Sequence, residues 1–331
     1  MSNFTTKILQ ASRAIGSESC TDASVRLTDS GGGKNSKETS AKDQRHFEKL
    51  YIATYNVRIL RSESHLERLE EELLNIKWDI LGISETGELA TTLKSGHLLY
   101  QNNTETNDHL GGDAFLIHKR LKPRIVTTKS ISEKVIYIVI KVNKRYNLQV
   151  IHVYAPTTSS DDETVEQLYE DITHAKTGEN AKYVVMMGDF NAKIGRNYDT
   201  EIRHIGRFGS GEKNSWGEML IKFCKTEDLY CVNSFFQNPE TRRWNWKSPD
   251  GKVKNEIDSI ILNKREICYN VSVLNKFDTN SDHRLVRATI RHETKFELTK
   301  MILKKQKYPT LEVRCIVRNR EKFEKAVTTN L

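Results

Sequence analysis

The sequence predicts a single layered α/β domain, and three observations support this. Short apolar runs alternate with helical patterns from Tyr51 to about residue 292 of the 331-residue chain. Many of the apolar runs are β-branched without strict alternation, which is typical of strands buried on both faces. Neither an internal repeat nor a convincing linker interrupts the alternation, so one domain accounts for it.

Eight segments are predicted as strands because they form short runs rich in apolar and β-branched residues. In chain order they are YIATYNV at 51–57, DILGISE at 79–85, DAFLIHK at 113–119, KVIYIVIKV at 134–142, LQVIHVYAP at 148–156, YVVMMGDF at 183–190, EIDSIIL at 256–262 and LVRATI at 285–290. They lie between the helical patterns, as a layered α/β domain requires.

Three helices are predicted at 62–78, 159–176 and 214–225, where apolar residues recur at helical spacing. The recurring residues are Leu66, Leu69, Leu73 and Ile76 in the first, Val165, Leu168 and Ile172 in the second, and Trp216, Met219, Leu220 and Phe223 in the third. Such faces favour helices that cover a core over helices that bind a partner.

The segments outside the alternation have a different composition. Residues 1–48 are rich in Ser, Thr, Gly and Lys and lack hydrophobic periodicity, so we expect a largely disordered segment. The domain itself is expected over residues 49–292. Residues 293–331 predict a basic tail that is partly helical.

The formal net charge of +8 is unevenly distributed along the chain. Residues 51–290 carry 33 Lys and Arg against 33 Asp and Glu, whereas residues 291–331 carry 11 against 5. A charge run of this kind is more often a solvated face than a phosphate-binding arm. Charge alone is therefore weak evidence for a nucleic-acid partner.

The cysteine pattern and the hydropathy of the sequence indicate the cellular compartment in which we expect the protein. The five cysteines form no C-x-x-C pair, and their odd number argues against a complete disulfide framework. No run approaches ~18 consecutive apolar residues, and the N-terminus lacks a secretory apolar core. We therefore expect an intracellular protein, nuclear or cytoplasmic and not secreted, without membrane association.

Several predicted strands end on a polar residue that is chemically unsuited to a core. These residues are Asn56, Glu85, Tyr154, Asp189, Asn191 and Asp258, with Asp282 and His283 in the nearby SDH. Singly, each has a simpler explanation, such as an Asx turn for Asp189 and Asn191 or a rim aromatic for Tyr154. Together they favour one shared site, because clustered carboxylates need a cation or a partner to offset their repulsion.

The stretch YVVMMGDFNA at 183–192 shows this pattern within a few residues. Alternation predicts that Asp189 and Asn191 point towards the site, whereas Phe190 packs inward. Gly188 is expected to allow a close backbone approach or an unusual turn.

The donor types indicate the chemistry. Oxygen ligands without cysteine select a hard cation, and we expect Mg²⁺ or Mn²⁺. Such a cation keeps positions for water and an anionic substrate, which indicates cleavage of a phosphate ester. That reaction needs a base for the attacking water and donors for the phosphate oxygens, and the residues above supply both.

Six motifs occur in an order that resembles the endonuclease/exonuclease/phosphatase superfamily. They are NV at 56–57, SET at 84–86, VYAP at 153–156, GDFNA at 188–192, ID at 257–258 and SDH at 281–283. Within that superfamily, the region 206–261 is similar to the endonuclease of RTE/BovB-type LINE retrotransposons. The resemblance implies a four-layer sandwich, with two packed mixed β-sheets flanked by helices.

The resemblance also implies which residues handle metal and water. Glu85 is expected to bind the divalent metal with help from Asn56, and Asp282 is expected near the metal. Asp189 is expected to orient and activate the attacking water, and Asn191 to hold a phosphate oxygen.

Further roles implied by the resemblance concern the phosphate and the substrate. His283, oriented by Asp258, is expected to contact the scissile phosphate. Tyr154 is expected to stabilise the transition state or the leaving oxygen. The residues expected to bind substrate are Arg243, Asn245 and Trp246.

Three positions depart from the superfamily's pattern. Arg58 stands where another carboxylate is common, which predicts weaker metal affinity. Asn245 replaces a common threonine before Trp246. Asp113 replaces a usually apolar residue of a strand, and an unpaired buried carboxylate there is expected to destabilise the fold.

The leading functional hypothesis is a divalent-metal-dependent DNA endonuclease that nicks one strand, derived from a retrotransposon and without the polymerase domain. DNA is the expected partner, and we expect a monomer. One alternative is a catalytically inactive protein of the same fold that binds nucleic acid through the basic tail and RRWNW. Another is a phosphatase acting on a phospholipid or an inositol phosphate.

Overall fold

The computed structural model describes residues 47–58, 60, 63–86, 93, 95–102, 112–157, 160–199 and 203–293. The segments predicted to be disordered, at 1–48, and to form a basic tail, at 293–331, lie outside this range except at residues 47, 48 and 293. Among the described helices, none is both long and apolar enough to cross a membrane.

Strands and helices alternate along the described part of the chain, as predicted. The strands are β1 (Phe47–Asn56), β2 (Ile80–Ser84), β3 (Leu98–Gln101), β4 (Ala114–Ile117), β5 (Ile125–Ser132), β6 (Val135–Lys141), β7 (Asn147–Tyr154), β8 (Tyr183–Asp189), β9 (Tyr230–Cys231), β10 (Trp246–Lys247), β11 (Lys254–Asn255), β12 (Asp258–Leu262), β13 (Cys268–Val273) and β14 (Val286–Glu293). The α-helices are α1 (Glu63–Leu74), α2 (Asp162–Thr177) and α3 (Ser215–Thr226).

The strands form two six-stranded sheets and one small hairpin. Sheet 1 has the order β13-β14-β1-β2-β4-β3, and sheet 2 has the order β5-β6-β7-β8-β12-β9. Both sheets are mixed, because β1 is parallel to β2 and β7 to β8 whereas the other neighbours are antiparallel. In sheet 1, β1 pairs with β14 from Phe47 beside Glu293 to Thr54 beside Val286. The hairpin consists of β10 and β11.

The two sheets pack face to face because their central strands are apolar on both sides. In β8, where every residue is buried, Val185 and Met187 lie in the layer between the sheets. Val184 and Met186 alternate with them and lie in the opposite layer, against α2 and α3. Burying each such side chain contributes about 1.5 to 3 kcal/mol relative to leaving it exposed.

The helices form the two outer layers, which confirms the predicted four-layer sandwich. α1 buries Leu66, Leu69 and Leu73 against the outer face of sheet 1. α2 and α3 cover the outer face of sheet 2, where Leu168 and Phe223 are among the buried side chains. All three helices therefore cover cores, as their apolar spacing predicted.

Candidate active site

The predicted site residues come from both sheets and meet at one end of the sandwich. In sheet 2, Asp189 at the end of β8 pairs with Tyr154 of β7 on one side and Asp258 of β12 on the other. In sheet 1, Asn56 ends β1, and Glu85 directly follows β2. Parallel strands bring their carboxyl ends together, and an antiparallel neighbour adds its first residues to the same end.

His283 lies between two aspartates. Its Nδ1 is 3.0 Å from Oδ2 of Asp258, and its Nε2 is 3.7 Å from Oδ2 of Asp189. Burial lowers the pKa of His283, but the carboxylates of Asp258, Asp189 and Asp282 outweigh that effect and raise it to about 9. The imidazole is therefore protonated at neutral pH.

Asp189 is itself perturbed by its position. Burial raises its pKa, the neighbouring Asp258 adds to the rise, and His283 opposes it, which leaves the pKa at about 6. A carboxyl group with this pKa is ionised at neutral pH yet is a stronger base than an exposed aspartate. Asp189 can therefore accept a proton from water.

Glu85 anchors a second group of contacts beside this row. Its Oε1 accepts a hydrogen bond from the Tyr154 hydroxyl at 2.9 Å and another from Nδ2 of Asn56 at 2.8 Å. The same Nδ2 of Asn56 lies 3.3 Å from Oδ2 of Asp189, so one amide links the two carboxylates. Burial, with Glu85 nearby, raises the pKa of Tyr154, which keeps its hydroxyl protonated.

Two of the site residues adopt left-handed backbone conformations, which residues other than glycine rarely adopt. Glu85 has φ 59° and Asn191 has φ 50°. Asn191 is held there because its N–H donates to Oδ1 of Asp189 at 3.0 Å and its Nδ2 donates to the Ala155 carbonyl at 2.9 Å. Left-handed backbone of this kind is concentrated at functional sites, where surrounding contacts maintain it.

Gly188 and Phe190 behave as the alternation in YVVMMGDFNA predicted. A Cβ on Gly188, whose φ is 152°, would lie 1.8 Å from the carbonyl oxygen of Val153. Only glycine therefore allows β8 to approach β7 this closely. Phe190 is 2% exposed and packs inward, in the layer beneath α2 and α3.

The segment SDH is fixed by a residue that the sequence did not single out. The hydroxyl of Ser281 donates to the Asn56 carbonyl at 2.7 Å and accepts from the His283 N–H at 3.0 Å. Ser281 thus ties the His283 loop of sheet 1 to the end of β1. Its place in the SDH motif was the only signal for this role.

Arg243, the first of the three residues expected to bind substrate, lies inside the protein. The guanidinium of Arg243 is buried, donates to the carbonyls of Phe236 and Asn238, and lies 3.9 Å from Glu256. This placement does not fit direct contact with substrate, because its donors are directed into the protein.

Asn245 and Trp246 support neighbouring site residues. Asn245 is fully buried, and its side chain bonds the backbone of Ile257 and Asp258, so it fixes the start of β12. Trp246 is partly exposed, and its Nε1 donates to Oδ2 of Asp282 at 3.2 Å. Of these three expected substrate residues, only Trp246 is accessible.

Asp113 is buried, but it faces a histidine. It precedes β4, and its Oδ1 lies 3.6 Å from Nδ1 of His152 between the sheets. The imidazole also lies 3.4 Å from the Ser84 hydroxyl and fits over Gly82, where a Cβ would come within 2.0 Å of the ring. Burial raises the pKa of Asp113, and His152 opposes that rise. Neither carboxylate oxygen of Asp113 has a hydrogen-bond partner among the described residues, so the cost to stability expected from this residue stays a prediction.

The site carries more negative charge than its cations offset. Its four carboxylates are those of Glu85, Asp189, Asp258 and Asp282. Protonated His283 supplies one positive charge, and Arg58 approaches only Asp282, at 4.0 Å. This imbalance, with oxygen donors, fits a bound hard cation.

Glu85 is the residue best placed to hold that cation. Its side chain is partly exposed, and in the described part of the chain no hydrogen bond to its Oε2 is found. Asn56 instead directs its amide nitrogen at the carboxylates, because its Oδ1 accepts from the Arg58 N–H at 2.9 Å. Asn56 therefore orients Glu85 in this arrangement.

Asp189, Asp258 and His283 also bring ligand atoms within 4.8 Å of one another, a spacing compatible with a metal ion. Two facts favour a histidine paired with aspartates over a second metal site. Asp258 is fully buried, and Nδ1 of His283 is already directed at it. An ion there would have to displace that contact.

Two comparisons of the sequence with known proteins give matches. A family model described as endonuclease-reverse transcriptase matches residues 148–287. Craniofacial development protein 2 from Bos taurus is 34% identical over 260 residues, which cover 75% of this chain and 42% of that protein. The chain thus spans less than half the length of this curated relative.

Solved structures with the same fold include two nucleases. The endonuclease domain of TRAS1, a telomere-specific non-LTR retrotransposon, superposes with a TM-score of 0.54 at 15% identity, covering 75% of this chain and 100% of that one. The AP endonuclease LMAP from Leishmania major gives a TM-score of 0.57 at 11% identity, covering 74% and 88%. At these identities the likeness shows the fold.

Proposed function

Because the chain has the fold and the ordered motifs of the endonuclease/exonuclease/phosphatase superfamily, we propose that it is a divalent-metal-dependent phosphodiesterase, and specifically a DNA endonuclease that nicks one strand. The observation that carries the proposal is the convergence of the Asp258–His283–Asp189 row with Glu85 and Tyr154 at one end of the sandwich. A buried base, a protonated imidazole and a free carboxylate oxygen are the parts that phosphodiester hydrolysis needs.

Each side chain has a role that follows from its contacts. Asp189 orients the attacking water and takes its proton, with the amide of Asn56 holding the carboxylate in place. His283, kept protonated by Asp258, donates to a non-bridging phosphate oxygen. Asn191 uses one amide proton on Ala155 and has a second available for the phosphate.

The leaving side of the phosphate is served by Glu85 and Tyr154. Glu85 would hold Mg²⁺ or Mn²⁺, which when bound neutralises charge developing on the phosphate and leaving oxygen. The Tyr154 hydroxyl donates its one proton to Glu85 in this structure, so it would turn from Glu85 to donate to the leaving oxygen. Protonated Tyr154 can do so because its pKa is raised.

A cationic and aromatic rim next to His283 supports DNA as the substrate. The guanidinium of Arg284 lies 3.1 Å from the ring centroid of Trp244, and the amine of Lys254 lies 4.9 Å from it. Cations fixed on an aromatic face are suited to a phosphate backbone. A polynucleotide substrate also agrees with the two similar structures, because both are nucleases.

Nicking of supercoiled plasmid tests the proposal. We expect nicked circles with Mg²⁺ and none with a chelator. Asp189→Asn and His283→Ala should each lower the rate by about 10² to 10⁴-fold, the usual value of an acid-base group. Unchanged nicking in both variants would remove this mechanism.

Matched substitutions on α2 serve as controls. Glu166→Gln and His174→Ala change the same types of group, a carboxylate and an imidazole, at exposed positions of that helix. We expect nicking rates within about twofold of the parent chain, because surface substitutions have small effects. Metal-independent DNA binding without turnover under any divalent cation would instead support an inactive binding protein. Hydrolysis of an inositol phosphate but not of plasmid would support a phosphatase.

A further inference from the structure

We propose that an open groove along the edge of sheet 2 binds a single-stranded polynucleotide. The inference rests on the proposed function, since the strand in the groove would continue from the one held at the active site. The groove has a volume of about 840 Å³, and none of the residues assigned to the active site lines it. The groove is therefore distinct from the active site.

The charge on the groove walls is suited to phosphate. Three arginines line it, Arg203, Arg207 and Arg265, against two carboxylates, Asp199 and Glu266. Arg203 is paired with Asp228 at 3.2 Å, outside the lining. Within the described residues, Arg207 and Arg265 are exposed and make no ion pair with a carboxylate. Two guanidinium groups are thus available to an anion.

Aromatic side chains line the same groove. Tyr198 is 83% exposed, and Tyr230 and Phe235 are half-buried with ring centroids 6.4 Å apart. The guanidinium of Arg265 lies 4.8 Å from the centroid of Phe235, which holds that cation beside an aromatic face. Alternating cations and aromatic faces are how proteins bind single strands, with phosphates on the cations and bases on the rings.

The groove leads away from the active site. At one end, the Gly206 and Phe208 N–H groups donate to the hydroxyl and carbonyl of Ser234. The adjoining Asn233 donates from Nδ2 to the Asp258 carbonyl, at the start of β12. Arg265 lies beyond the other end of β12, whose five residues span about 17 Å. A strand leaving the active site along this edge would reach both Arg207 and Arg265, because both line the same groove.

A single strand fits these features better than a duplex. The exposed ring of Tyr198 can stack only on a base that is not already paired and stacked within a helix. Phosphates and aromatic bases are common to DNA and RNA, so the groove recognises the chemistry that both share.

Fluorescence anisotropy with the whole chain in chelator, where cleavage is prevented, tests the inference. The probes are labelled thymidine and uridine oligonucleotides of about 12 residues and a duplex of equal length. We expect tighter binding of a single strand than of the duplex. Arg207→Ala combined with Arg265→Ala should weaken single-strand binding about tenfold at low salt. The slope of the logarithm of the binding constant against the logarithm of the salt concentration should fall by about 0.7 for each arginine removed. Tyr198→Ala should weaken single-strand binding about 5- to 100-fold.

Arg68→Ala controls for the loss of a surface arginine, because it removes one guanidinium from an exposed position on α1, outside sheet 1, against the two removed from the groove. Equal single-strand binding by the Arg207→Ala, Arg265→Ala variant and by Arg68→Ala would overturn the inference, as would no single-strand binding by the parent chain. The thymidine and uridine arms separate DNA from RNA. Plasmid nicking, measured in parallel, decides the proposed function independently of either result.

Discussion

His283 is the residue whose protonation state depends most visibly on its neighbours. Its pKa of about 9 is above the ordinary value of about 6.5, so the folded protein binds this proton more tightly than the unfolded chain does. The stability it contributes is complete below about pH 6.5 and is lost as pH rises through about 9. The protonated form required by the proposed mechanism should disappear as pH rises through about 9.

Replacing Asp258 should make this dependence measurable. Asp258→Asn removes the carboxylate 3.0 Å from Nδ1, so we expect the pKa of His283 to fall from about 9. An NMR titration of the imidazole resonances, in the parent chain and in the variant, reports it directly. A His283 titration curve that does not move in the variant would contradict the pairing.

The sequence identified most residues of the candidate site because polar residues at the ends of apolar strands are conspicuous. Asp189, Asp258 and His283 were found in this way, and the structure brings them together. Exposure could not be read from the sequence, so Arg243 was expected to bind substrate although it is buried. His152 was missed because a lone histidine within an apolar run carries no signal until Asp113 faces it.

At the scale of the element, the strength of a cap depends on what else the capping side chain holds. Asn214 begins α3, and its Oδ1 accepts from the Gly217 N–H at 2.8 Å and from the Lys193 N–H at 2.9 Å. It therefore fastens the loop after β8 to the helix. Asp161 begins α2 and, among the residues that the structure describes, accepts from the Thr164 N–H alone, at the surface.

These hydrogen bonds predict unequal losses on truncation. Asn214→Ala should lower the free energy of unfolding by about 2 to 3 kcal/mol, because the helix loses its cap and a second backbone donor loses its partner. Asp161→Ala should cost less, since water can replace its hydrogen bond. Urea denaturation of both variants measures the difference, and equal losses would show that the Lys193 hydrogen bond contributes nothing.

The eight predicted strands are the eight interior strands of the two sheets. Within the two sheets, the four strands that the sequence did not reveal are β3, β13, β5 and β9, which are the edges of sheets 1 and 2. The short strands of the hairpin, β10 and β11, were not predicted either. An edge strand is covered less completely, so it carries polar residues and lacks a continuous apolar run, as in IVTTKSIS of β5. Burial on both faces, and not strand propensity, made the interior strands recognisable.

At the scale of the molecule, the layer between the sheets carries the stability. Met187 is fully buried in it, and Met187→Ala should lower the free energy of unfolding by about 2 to 5 kcal/mol, because the shorter side chain packs less apolar surface and leaves a cavity. Leu74 at the end of α1 is 83% exposed, and Leu74→Ala should change the free energy of unfolding by no more than about 0.5 kcal/mol. Guanidinium denaturation compares them, and similar midpoints would contradict this assignment of the core.

Because Phe47 pairs with Glu293, the first and last described residues of the domain lie side by side. Paired Cα atoms in such a ladder lie about 5 Å apart, a gap that a few residues could bridge. Both strand ends lie opposite the active site, because Asn56 and His283 mark the other ends of the same two strands. The domain is thus suited to circular permutation or to insertion as a module into another protein, with its cleft facing away from the junction.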